Sequence, residues 1–118
     1  MASPTKCTMD TNINLGQQHA TLGASQNDYT ALAGFGCLGI SASSSGFHVT
    51  GLTSGAAGRL GAIIHDPAGS TFTLDDESAS SEATNRMKLA GVNITFGTVR
   101  KGMMLMYDDG SQRWYKVS

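Results

Sequence analysis

Apolar residues come in short runs along this chain, broken by glycine, serine, aspartate and asparagine. Leu60, Ala62 and Ile64 share one face of residues 59–65, and Phe72 and Leu74 one face of 70–74. Such period-two alternation marks a strand with one face buried. Between these two stretches stand Asp66, Pro67, Ala68 and Gly69. Asp first, Pro second and Gly fourth is the preference of a type I turn, which predicts a hairpin. Val92, Ile94 and Phe96 alternate with Asn93 and Thr95. Residues 103–107 and 113–117 are apolar on both sides of a turn-forming stretch at 108–112, a second and clearer hairpin. Runs at 35–40 and 47–50 bring the number of strands to seven or eight. That spacing predicts an all-β chain, a single antiparallel β-sandwich or jelly-roll-like domain over residues 29–118. Leu52, Leu60, Ile64, Phe72, Leu74, Ile94 and Leu105 are its expected core.

Two stretches depart from the pattern. Residues 75–91 open with Asp75, Asp76 and Glu77, which suit the first turn of a short helix, and Ala79, Ala83 and Met87 fall four apart. The apolar stripe is thin, so the segment reads as a long structured loop with at most one short helix. Residues 1–28 are polar and lack sustained periodicity, although Met9, Ile13 and Leu15 alternate with polar neighbours. They read as an extended N-terminal arm, either a frayed end or a segment ordered against a neighbouring subunit.

Composition narrows the possible functions. With 118 residues the chain has the size of one domain with its own core. Only 14% of residues are charged and the net charge is −1, with no basic cluster, so the phosphate-neutralising face of a nucleic-acid binder is missing. Nor is there a run approaching the ~20 apolar residues of a membrane span. The first residues lack the apolar centre of a signal peptide, which predicts synthesis in the cytoplasm. Cys7 and Cys37 then read as free thiols, with a disulfide between them as the alternative. So low a charge density leaves wide neutral surface, which suits a subunit of an assembly.

The candidate chemistry is thin. His19, His48 and His65 are far apart in sequence and lack a carboxylate at ligand spacing, so neither a metal site nor a cofactor is predicted. Asp75, Asp76 and Glu77 read as a solvated acidic loop. No Gly-x-Ser-x-Gly elbow occurs, and no catalytic residue is assigned. The stronger signals are structural or interfacial. Asn85 can close a loop through backbone hydrogen bonds, and Arg86 can lock onto a carboxylate or a chain terminus. Asp108 can pair with Arg113 across the mouth of the last hairpin while the Trp114 indole covers apolar surface; Trp114 and Arg113 would equally serve as interface anchors, and Tyr107 is a structural or interface candidate beside them.

The order Gly51, Leu52, Gly58, Arg59, Leu60, His65, Phe72, Thr73, Leu74, Asp76, Glu77, Ser78, Ser81, Asn85, Arg86, Asn93, Ile94, Thr95, Gly102, Tyr107, Asp108, Arg113 and Trp114 resembles a recurrent β module of tailed-phage virion proteins. The resemblance covers about residues 29–117 in short motifs, and His65, Asp66 and Pro67 depart from it. Such modules occur in tail fibres, tail spikes and small capsid-associated proteins. Because the module fills almost the whole chain, the resemblance implies a capsid decoration (cement) protein. Such a protein would be a homotrimer on the outer shell of the virion, with the major capsid protein as partner. The alternative is the tip of a tail fibre or capsid fibre that contacts a host glycan or receptor. Trp114, Tyr115 and Tyr29 would then be the aromatics available to stack on sugar.

Overall fold

A computed structural model describes residues 15–31, 36–66, 69–97 and 100–117. Three strands that follow one another along the chain lie side by side and parallel: β1 (Gln17–Leu22), β2 (Cys37–Ala42) and β4 (Leu60–His65). Gln17 sits beside Cys37, and Cys37 beside Ala62, so the chain returns to the same place after turns of about 20 to 25 residues. After β2 and again after β4 it visits a second sheet, in which β3 (Phe47–Val49) runs parallel to β5 (Phe72–Leu74). The antiparallel strand β7 (Ile94–Phe96) completes that sheet. The body is therefore a stack of coils.

The corners explain why the chain coils where a hairpin was expected at 66–69. The Gly69 N–H donates to the Asp66 carbonyl at 3.0 Å, so the turn forms; Pro67 and Ala68 lie outside the described residues. The next residue does not fold back on β4. Ser70 N–H donates to the Ala42 carbonyl of the preceding coil, as Ser43 N–H does to Leu22 one coil earlier. A Cβ on Gly69 would lie 2.6 Å from the Ser41 hydroxyl, so only glycine lets the corners stack this closely.

Antiparallel pairing takes over at the far end. β8 (Gly102–Asp108) pairs with β4 and with β9 (Arg113–Lys116), the hairpin expected from the sequence. The two-residue β6 (Met87–Lys88) lies parallel to β9. The large sheet has the order β1-β2-β4-β8-β9-β6, and the small one β3-β5-β7. The chain is thus nearly all β with mixed sheets, a correction to the antiparallel expectation. Ala83–Asn85 form one short 3₁₀ turn in the loop that was expected to hold a short helix.

Both sheets turn apolar side chains into one core. Leu38, Ile40, Ile63, Leu105 and Trp114 enter from the large sheet, and Val49, Phe72, Leu74 and Phe96 from the small one. The rings of His65, Phe72 and Phe96 stack in a row, with centroids 5.9 and 5.0 Å apart. Leu52, Phe72, Leu74 and Leu105 are buried as expected, and Ile94 packs against the core. Leu60 and Ile64 are not in it. β4 turns Gly61, Ile63 and His65 inward, leaving Leu60 half-buried and Ile64 exposed. Both phases of this strand carry apolar residues, so alternation alone did not fix which one faces in.

Residues 17–29 belong to the coil stack. β1 pairs with β2 along its whole length, Leu22 is buried, and Gln26 and Tyr29 bridge to Val49 and Leu52. The expected arm over 1–28 therefore contributes the first described coil, and residues 1–14 lie outside the described residues.

Candidate interaction face

The residues singled out in the sequence converge on the loop between β5 and β6 and on the last hairpin. Asn85 Nδ2 donates to Asp28 Oδ1 at 2.9 Å, and the Asn85 carbonyl accepts from Leu52 N–H. Arg86 meets a backbone carbonyl where a carboxylate was expected: its Nε donates to the carbonyl of Ser81 at 3.1 Å. Ser81, itself buried, shares a hydrogen bond with Thr50 and accepts from the Asp28 N–H. The Asn85 amide lowers the Asp28 pKa against some desolvation, helped by the Glu82 N–H and Ser81. This network ties coils together.

Asp108 and Arg113 are register partners, but each bonds elsewhere. Asp108 Oδ2 accepts from the Ser111 hydroxyl and N–H, which hold its pKa low. Arg113 Nε donates to Glu77 Oε1 at 2.5 Å, with Lys88 3.6 Å from the same oxygen. Burial works to raise the Glu77 carboxyl, yet Arg113 and Lys88 outweigh it and bring it below the usual range. The acidic loop is thus fully engaged rather than solvated. Asp75 meets His48 at 2.6 Å, Asp76 accepts from the N–H groups of Leu89 and Gly91, and Glu77 takes Arg113.

Tyr107 and Trp114 face inward. Trp114 is 0% exposed, and its indole N–H donates to the Leu52 carbonyl at 2.9 Å. Tyr107 meets it edge-on at 5.3 Å and donates its hydroxyl to the Thr84 carbonyl. Desolvation, with the charge of Asp109, raises the Tyr107 pKa. Trp114 thus covers apolar surface from within the core, and is not at a rim where it would anchor an interface.

What the sequence reading missed lies on the opposite side of the same strands. Directly paired residues share a face of a sheet, so Leu60, Met106 and Tyr115 form one row across β4, β8 and β9. Ala62 and Met104 form the next, and Val117 adjoins it through its N–H to the Met104 carbonyl. All of these point away from the core. Ile64, Met106 and Val117 are 42, 41 and 53% exposed. Beside them is a groove of about 480 Å³ whose lining includes Ala57, Gly58, Met106, Tyr115 and Val117 together with Asp108 and Asp109. A smaller groove of about 350 Å³ lies across Tyr115, among Asp76, Glu77, Lys88 and Lys116. The signal was present in the sequence: residues 103–107 are apolar at every position, which a strand with one wet face does not need.

The other end of the large sheet is polar outside. Gln17, His19 and Thr21 face out from β1, and His19 lies over Gly39, where a Cβ would come within 2.8 Å of its ring. Among the described residues no group of three His, Cys, Asp or Glu side chains could hold a metal ion, and no helix is long and apolar enough to cross a membrane. Cys37 is a free thiol, its pKa raised by burial; Cys7 lies outside the described residues. No protein-family model, curated protein or solved structure matches this chain.

Proposed function

We propose that this chain is a non-catalytic structural module of a tailed-phage particle, and that it forms part of a fibre or spike that contacts the host surface. The observation that carries this reading is the coil stack itself. Successive turns hydrogen-bond along one direction, β1 beside β2 and β2 beside β4, a form that extends by adding turns. The Asp28, Ser81 and Asn85 bonds brace its side. Of the aromatics expected to stack on sugar, Trp114 is buried and Tyr29 packs against the core.

Decoration of the head is the second reading, favoured by the neutral outer face of β4, β8 and β9, which suits burial against the major capsid protein. It is weakened where the arm would act, because Gln17–Leu22 are woven into the large sheet. Both readings place the protein in the virion as a homotrimer made in the host cytoplasm. Quantitative mass spectrometry of purified particles separates them. A few copies per particle, in multiples of three, are expected; hundreds of copies would establish the shell, and none would end both.

A further inference from the structure

We infer that the outer face of β4, β8 and β9 is covered by further copies of this chain, with the strand ends of each copy laid against the opposite ends of its neighbour. An antiparallel sheet with one wet face alternates apolar and polar residues, whereas a sheet covered on both sides is apolar throughout. β8 follows the second pattern. Met103, Leu105 and Tyr107 fill the core, while Met104 and Met106 continue the apolar run outward. Ile64 on β4 and Val117, just past the end of β9, extend that surface. The face is bordered on one side by the charged groove beside β6, and on the other by β2, beyond which β1 turns polar residues outward.

Charge selects a copy of this chain as the occupant. Arg100 and Lys101 precede β8, and Asp108 and Asp109 end it, so opposite charges stand at the two ends of one strand. Six residue steps separate Gly102 from Asp108, about 20 Å of strand. Copies closing round an axis set the basic end of one β8 against the acidic end of the next. The number three rests on the proposed virion reading; the face does not. Three flat faces about 20 Å wide enclose a prism whose walls stand about 6 Å from its axis, close to half the usual ~10 Å spacing of packed sheets. Outward methionine and isoleucine side chains fill that distance without a void.

Sedimentation velocity on the full chain at micromolar concentration tests this. The wild type is expected to sediment as an oligomer. Met106→Asp and Ile64→Lys, each at an exposed position, are expected to keep the circular dichroism spectrum and raise the dissociation constant about tenfold or more, since they bury a charge. Lys101→Asp alone is expected to weaken association, and Lys101→Asp combined with Asp109→Lys to restore it. A trimer mass supports the virion reading as well, while a dimer with the same sensitivities upholds the face and removes the trimer from that reading. A monomeric wild type, an oligomer indifferent to Met106→Asp and Ile64→Lys, or a double charge swap that fails to restore association would overturn the inference. A glycan or shell protein bound through Met106 by a monomer would do so too.

Discussion

Trp114 joins the two ends of the fold's logic in one side chain. Its ring fills the core between the sheets, and its N–H reaches the carbonyl of Leu52 on the second coil. Trp114→Phe keeps most of the packing but leaves that buried carbonyl without its indole donor, so a loss of about 1–3 kcal/mol is expected in urea unfolding. Trp114→Ala adds a cavity and should cost about 3–5 kcal/mol. Glu77 makes a prediction in pH. Its folded pKa lies below the ordinary 4.5, so the stability from its pairing is complete above about pH 4.5 and is lost as pH falls through the folded value. Asp28 behaves alike from 3.8 downward. Thermal midpoints should hold steady at neutral pH and fall below about pH 4.5, with a shallower fall in Glu77→Gln; an unchanged slope in that variant would show that Arg113 does not stabilise the fold through this pair.

The strand elements show where physical reading of the sequence reaches and where it stops. The β8–β9 hairpin was legible because its turn formers are local and its partner strands adjoin. The turn at 66–69 was legible too, but not its outcome. Whether the chain after it pairs with β4 or crosses to the other sheet depends on Ala42, a coil away in sequence. The phase of β4 was open for a similar reason, since Ile63 and Ile64 are equally apolar, and the phase that turns Ile63 in is the one that also stacks His65 on Phe72. Of the marked site residues, Asn85 was expected to close its own loop through backbone hydrogen bonds, and its amide instead reaches the carboxylate of Asp28, fifty-seven residues away. Arg113 likewise reaches Glu77, which lies thirty-six residues away, and no local pattern announces it. Ile63→Ala should cost about 2–5 kcal/mol, whereas Ile64→Ala should leave the unfolding of a dissociated chain within about 0.5 kcal/mol of wild type. Gly51 tests the contact between coils. A Cβ there would lie 2.5 Å from Ser81 Oγ and 2.7 Å from the Asn85 carbonyl, so Gly51→Ala should cost about 1–3 kcal/mol and speed amide exchange at Leu52.

At the scale of the molecule, each coil is held by the one beside it, and β1 is the first of the described series. Deleting residues 1–24 removes β1 together with the buried Leu22, and uncovers the edge of β2. The thermal midpoint of that truncation should fall, and an unchanged midpoint would show that the first coil is not coupled to the rest. The return of the chain to the same place after each turn has a further consequence for how such a body changes over generations. A single inserted residue within β2 would flip every side chain beyond it to the wrong face. A whole extra turn flips none. Duplicating residues 37–61 in tandem is therefore expected to give a folded protein, taller by about 4.8 Å, one strand spacing, with the hairpin end unaltered; small-angle scattering would measure the added height. Height in this architecture is counted in rungs, and heredity can edit it one rung at a time.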